Sequence, residues 1–206
     1  FEQLDYVEAQ LLKTYALAYH LTGKPLYREV MKGIIRYVEE TLLDKEEGGF
    51  YAHQDADMGP GDDGGYFTWS VEEISKVVSP EEAEILFRHY DIAIKGDMRE
   101  EPTKNVLWQA MSTEEVSKKT CIPEREVKKL LKEGKEKLLA ARKKRRTPFV
   151  DRTKYAGRNG LMIAGYLESY KVLHDEKLKK TALKSLEFLL KNLYRSDDGM
   201  GHAFIK

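Results

Sequence analysis

The 206-residue chain has one cysteine, six prolines and no excess of either charge, with 35 basic residues against 35 acidic ones. A lone Cys121 excludes an intramolecular disulfide and any dithiol redox motif within the chain. Beside the apolar Ile122 it reads as an inert buried thiol. Balanced charge leaves no electrostatic footprint for nucleic acid. The apolar stretches are too short for a membrane span, and no charged-then-apolar leader opens the chain. No two histidines share a ligand-like spacing with the cysteine or a third histidine, so no metal site is expected. These scarcities give a soluble, cytoplasmic protein with no cofactor and neither nucleic acid nor membrane as partner.

Charge and helical pattern are abundant. Charged residues make up 34% of the chain and apolar ones 41%, and the length suits one domain. Residues 4–21 read as a helix apolar on nearly every side, as do residues 159–173 beginning at Asn159. Such helices are normally buried all round. Each is followed by a helix with a single apolar stripe. The first runs over 25–43 through Tyr27, Met31, Ile35, Val38 and Leu42. The second follows Asp175 through Leu178, Ala182, Leu186, Leu189 and Leu193. Between them, Ser70 with Glu73, Ser79 with Glu82 and Ser112 with Glu115 are capping boxes for three short helices. Pro123 starts a long basic helix ending near Arg145, its RKKRR run read as a solvated helix end. A short strand is expected at 105–108 and a loop over 147–158.

A shift of about 151 residues superposes the two helix pairs. Tyr27 meets Leu178, Met31 meets Ala182, Leu42 meets Leu193 and Gly48 meets Gly199. An internal repeat of helical hairpins means a solenoid or a closed ring. Two inner-type helices apolar on both faces favour the ring. The chain begins at Phe1 without a methionine and stops just after a strand-like AFI, so both ends read as cut.

The acidic, glycine-rich stretch 44–70, DKEEGGFYAHQDADMGPGDDGGYFTWS, interrupts this scaffold. Its two runs GGFYAH and GGYFTW alternate and are rich in aromatics, which predicts a short β-hairpin within 48–69. Asp55 and Asp57 share one face of an extended segment. They read either as a carboxylate pair for acid/base work or as caps that fix the turn. A calcium loop is disfavoured by Gly59, Pro60 and Tyr66 at ligand or turn positions. His202 lies where the repeat places the GGFY turn, and His53 sits in that turn's own strand. Tyr51 and Trp69 offer rings for stacking, or a hairpin core. Gln54 stands beside Asp55. Asn159 is a natural N-cap for the helix that follows.

Several motifs together resemble one family. They are HLTGKPLYREV, GGFYAHQDAD, GGYFTWSVEEI, KNVLW, RNGLMIAGYLESYKVL and DDGMGHAF. The chain resembles the thioredoxin-domain-containing (α/α)-barrel proteins, the spermatogenesis-associated-protein-like family. Their six-hairpin toroid is similar to those of N-acylglucosamine 2-epimerases and six-hairpin glycosidases. The resemblance implies a mainly α-helical, partial (α/α)6 toroid: residues 1–206 as one domain, a fragment from the middle of a larger ring. The thioredoxin-like domain lies outside it and becomes an expected partner. FEQLDYVEAQ resembles the family's HFEKMLYDNA, which makes Glu2 the family's acid. Where the family carries a second acid and a tryptophan before NGLM, this chain has Thr153 and Arg158.

The candidate site is therefore Asp55, Asp57 and His202 for catalysis, with Glu2, Tyr51, Gln54, Trp69 and Asn159 for binding. The expected ligand is small, polar and sugar-like. The leading function is a binding scaffold, and the alternative is a carbohydrate-active enzyme of epimerase or glycosidase type. Half a ring also leaves inner-helix surface uncovered, so self-association is expected.

Overall fold

The computed structural model describes residues 2–62 and 64–205. Phe1 and Lys206, on which the reading of cut ends falls, and Asp63 of the acidic stretch lie outside the described residues. In chain order the elements are β1 (Gln3–Leu4), α1 (Asp5–Thr22), α2 (Pro25–Tyr37, extended by a π-helical turn Val38–Leu42), β2 (His53–Gln54), α3 (Val71–Ser75), α4 (Pro80–Tyr90), α5 (Thr113–Thr120) and α6 (Glu124–Arg142). There follow β3 (Val150–Asp151), β4 (Lys154–Tyr155), α7 (Ala156–Leu173), α8 (Glu176–Leu193), β5 (Tyr194–Arg195), β6 (Gly199–Met200) and β7 (Ala203–Phe204). The chain is mainly α-helical, as its patterning predicts.

It divides into two compact units. Residues 56–148 form one, and residues 2–55 with 149–205 form the other. The two copies of the repeat thus belong to one unit, and the intervening segment is a unit of its own.

In the repeat unit the shift of 151 residues holds element by element. It carries α1 onto α7, β1 onto β4, and the start of α2 onto that of α8. Even the left-handed caps correspond: Gly23 ends α1 and His174 ends α7. The strands repeat as well, β1 pairing antiparallel with β2 and β4 with β7. The inner helices α1 and α7 lie against each other. Their starts are linked by Arg158 and Asp5, and their ends line one groove through His20 and Val172, so they run parallel. A Cβ on Gly165 would sit 2.9 Å from the Ala9 carbonyl oxygen, so a glycine is needed for this approach. Ala9, Leu12, Ala16, Met31, Val38, Met162, Tyr166 and Leu189 form the core.

Four expectations are corrected here. The helix α7 starts at Ala156, three residues before Asn159, and is capped by Tyr155 without a side-chain bond. The inner helix α1 is not buried all round: Leu17 and Leu21 are 59% and 72% exposed. The runs GGFYAH and GGYFTW do not pair with each other. Both edges of β2 are taken, by β1 and by β3, while Phe50 bridges Leu43 and Trp69 bridges Asn105. Asn105 makes that one bridge rather than a strand.

In the other unit the three capping boxes form as the sequence predicts. The helices α4, α5 and α6 enclose Trp69, Ile74, Ile85, Leu86, Val116 and Val127. The basic run is not simply solvated. Arg145 turns back 3.9 Å over the Trp69 ring and donates to the carbonyls of Gly65, Tyr66 and Thr68 at 2.9, 3.1 and 2.8 Å. Cys121 is exposed, because it takes the left-handed position that ends α5.

His89 in α4 is buried, and its Nδ1 has no partner among the described residues. Burial and the nearby Lys135 charge hold its pKa below the usual value, against a smaller opposing Met111 contact. The folded state therefore binds this proton less readily than the unfolded chain, and stability falls as pH drops below the ordinary histidine range. Melting followed at pH 5 and pH 7.5 should show an acid loss that His89→Leu diminishes. An identical acid loss in that variant contradicts the assignment.

Candidate functional site

A three-stranded sheet, in the order β1-β2-β3, assembles the site. Its register sets Leu4 opposite His53 and His53 opposite Asp151. Side chains alternate faces along a strand, and directly paired residues share a face. Glu2 and Asp55, two positions from Leu4 and His53, therefore project to the same side as His53 and Asp151.

The distances bear this out. His53 Nε2 lies 3.1 Å from Asp55 Oδ1 and 3.9 Å from Glu2 Oε1, and Nδ1 lies 3.7 Å from Asp151 Oδ2. Carboxylates thus flank both ring nitrogens. Asp151 Oδ1 also accepts from the Thr153 amide at 2.9 Å, and its pKa is lowered. Burial alone would raise it, but the Thr153 bonds and the charges of His53 and Arg158 outweigh burial. Nε2 of His53 and one oxygen each of Glu2 and Asp55 lie within 4.8 Å of one another, so these three could hold a divalent cation.

Asp5, the first residue of α1, completes the cluster. It is fully buried. Its Oδ1 accepts from the Tyr6 amide at 2.7 Å and lies 3.7 Å from Arg158. Its Oδ2 is buried with no hydrogen-bond partner among the described residues. Burial pushes its pKa up to about 6, with Asp151 adding to the rise and Tyr6, Arg158 and His53 opposing it. The Arg158 guanidinium lies 5.0 Å from the Tyr6 ring and 4.7 Å from the Tyr155 ring. The His202 ring packs edge-on against Tyr155 at 5.5 Å. At the head of the two inner helices stand an imidazole between carboxylates, a carboxyl group whose pKa burial raises to about 6, and a cation held between two rings.

No protein-family model matches the chain. Human spermatogenesis-associated protein 20 is 32% identical over 216 residues, covering 94% of this chain and 27% of that protein. The mouse protein of the same name is 32% identical over 220 residues, covering 97% and 28%. This chain is homologous to one segment of spermatogenesis-associated protein 20. It spans a little over a quarter of the length of these relatives. In fold it is similar to a sugar epimerase from a ruminal bacterium, with a TM-score of 0.51 at 13% identity, covering 99% of this chain and 29% of that one.

In this spermatogenesis-associated protein 20 homologue the residues expected at the site separate into three groups. Glu2 and Asp55 converge on His53, while His202 stands at the Tyr155 edge of the same helix heads. Asp57 lies in the 56–148 unit and accepts from the Gly64 amide at 3.2 Å, the turn-fixing role. Trp69, in the same unit, is 3% exposed under Arg145, so its ring is no stacking platform. Gln54 is buried and accepts from the Tyr37 hydroxyl. Asn159 is also buried. Its Oδ1 accepts from the Phe50 amide at 2.7 Å, and its Nδ2 donates to the Phe50 and Tyr155 carbonyls. Its polar atoms are spent on holding the GGFY turn. The half-buried Tyr51 lies near Lys154, which Asp44 holds.

Sequence reasoning passed over Asp5, Tyr6 and Tyr155. The repeat could have pointed to them: Leu4 and Tyr155 are equivalent helix caps, and copies that are neighbours in a ring of hairpins set such helix heads side by side.

Proposed function

We propose that this segment supplies the acid/base wall of a binding site for a small, polar, sugar-like molecule within a longer helical toroid. The observation that carries the reading is His53 with Asp55 on one ring nitrogen and Asp151 on the other. That arrangement suits a hydroxyl-bearing ligand, which both donates and accepts hydrogen bonds. Arg158 between its two tyrosines, standing where the family has a tryptophan, replaces a flat apolar surface with a cation. The alternative, an enzyme moving protons on a sugar, is favoured by Asp5, whose pKa of about 6 suits an acid/base group at neutral pH. The fold neighbour described as a sugar epimerase is the reason sugars head the test panel.

The test titrates the chain with neutral sugars, amino sugars and sugar acids, following amide and imidazole NMR signals. At least one compound should move the His53, Asp55 and Tyr155 signals. Affinity should fall at least about tenfold in His53→Gln and in Asp55→Asn, the loss of one hydrogen-bonded charged contact. Shifts that avoid these residues, or variants that bind as the parent does, remove the proposal. Solvent deuterium entering the sugar carbon skeleton, and lost in His53→Gln, would select the enzyme reading.

A further inference from the structure

His53 stands among more carboxylates than one imidazole can satisfy. Asp55 and Glu2 lie on its Nε2 side, at 3.1 and 3.9 Å, and Asp151 on its Nδ1 side, at 3.7 Å. Among the described residues neither Glu2 nor Asp55 is paired with a lysine or arginine, and Arg158 reaches Asp5 instead, at 3.7 Å. The Asp5 amide donates to the Ala52 carbonyl at 3.0 Å, which sets Asp5 next to His53. Its buried Oδ2 has no hydrogen-bond partner among the described residues. Glu2, Asp5, Asp55 and Asp151 thus outnumber the two groups that can carry positive charge, His53 and Arg158. A bound divalent cation is the largest charge such a cluster can recruit to offset the excess.

The donor atoms have the spacing of a metal site. A tetrahedral zinc ion with nitrogen and oxygen ligands at about 2.0–2.2 Å holds its donor atoms roughly 3.3–3.6 Å apart. The 3.1 Å from Nε2 to Asp55 Oδ1 and the 3.9 Å from Nε2 to Glu2 Oε1 bracket that range, and all three donors lie within 4.8 Å of one another. The exposed Glu2 side chain is free to make the remaining adjustment. The backbone beneath is fixed: Gln3 pairs with Gln54, which seats Glu2 beside Asp55, and the Asp55 amide donates to the Phe149 carbonyl at 2.9 Å. Asp151 behind Nδ1 is the kind of partner that keeps the proton on that nitrogen and leaves Nε2 free for a metal. The donors come from two strands, so no spacing within one stretch of sequence reveals them.

We propose that Glu2, His53 through Nε2, and Asp55 bind one zinc ion, with Asp151 positioning the imidazole from Nδ1. One imidazole with two carboxylates suits a first-row divalent metal, whereas calcium and magnesium take oxygen ligands alone, and nitrogen favours zinc over manganese or iron. Three protein ligands leave a fourth position, which the exposure of Glu2 opens to solvent. Ion binding does not depend on a sugar ligand, so the two can succeed or fail separately.

Calorimetric titration with zinc chloride, without any sugar, tests this. The chain carries Cys121→Ser, because that exposed thiol would take zinc by itself. Binding should saturate near one equivalent, and excess magnesium should not displace the zinc. Affinity should fall at least about tenfold in Glu2→Gln, Asp55→Asn and His53→Gln, and about 10–100-fold in Asp151→Asn, the usual cost of losing the group behind a ligating histidine. Circular dichroism of the metal-free variants checks that each keeps its fold. Nitrogen NMR of the imidazoles should show His53 Nε2 moving on zinc addition while Nδ1 keeps its proton. A titration that does not saturate overturns the proposal. So does zinc binding that Glu2→Gln and Asp55→Asn leave unchanged, or imidazole shifts centred on His20, His174 or His202 instead. An Asp151→Asn variant that binds as the parent does overturns the positioning role.

Discussion

Replacing Lys154 with methionine should destabilise the repeat unit by about 3–5 kcal/mol, the usual result of leaving one member of a buried ion pair alone. Lys154 is 1% exposed, and its Nζ lies 2.9 Å from Asp44 Oδ2 and 2.8 Å from the Gly48 carbonyl. Its ammonium also sits 3.8 Å over the Phe188 ring. Methionine would fill much of the volume but supply none of these donors. Asp44 would stay buried and charged beside a carbonyl that also lacks its partner. Burial alone would raise the Asp44 pKa. The Glu47 and Glu46 amides and Lys154 outweigh it and bring the value down to about 2. A lowered carboxylate pKa contributes stability above the unfolded value of 3.8, and that stability is lost as pH falls through about 2. Urea unfolding at pH 7 should therefore show the loss, and Lys154→Met should shrink the acid-dependent step of the parent. Adding Asp44→Asn to Lys154→Met should recover part of the stability, because the stranded charge goes. A loss under about 1 kcal/mol would mean that the pair is replaceable and that the turn is held by other means.

The turn that Lys154 holds shows how the fold was and was not legible. Gly48 and Gly49 announce a break, and both adopt left-handed backbone, with φ of 90° and 85°. What grips them is remote: the Ser185 hydroxyl on the Gly49 amide, Asn159 on Phe50, Lys154 on Gly48. These partners lie over 100 residues away, and no local pattern points to them. Periodicity fixed the helices and the 151-residue shift, because one apolar stripe per helix is a local consequence of burial. The capping boxes were readable for the same reason. The division into two units was hidden, because residues 56–148 have helices and caps of ordinary kind. In the site, two-residue alternation was the right rule applied one step late. Asp55 shares its face with His53, while the chain leaves the sheet after Gln54 and Asp57 belongs to the other unit.

The Asp5→Asn variant should be more stable than the parent at pH 8 by up to about 3 kcal/mol, from a shift of roughly two pKa units at about 1.4 kcal/mol each. The sign follows from the direction of the shift. Burial raises the folded-state value of Asp5 from 3.8 to about 6, so the folded protein holds this proton more tightly than the unfolded chain does. Below about pH 4 both states are protonated and nothing is lost. Between pH 4 and 6 the parent loses stability because the unfolded chain's carboxyl ionises while the buried one stays protonated, and above pH 6, where both ionise, the whole penalty is present. Asparagine cannot ionise, so its stability should stay level across that interval. Its carbonyl oxygen can still accept from the Tyr6 amide, as Asp5 Oδ1 does at 2.7 Å. Chemical denaturation at pH 4, 6 and 8 measures both curves. A parent that is flat from pH 4 to 6.5, or an asparagine variant that is weaker at pH 8, would show that Arg158 repays the burial in full. A carboxyl group that costs stability and keeps a buried oxygen without a partner among the described residues is what the proposed acid/base function would call for. The same variant should therefore weaken any ligand that the His53 cluster binds, trading affinity for stability at a single atom.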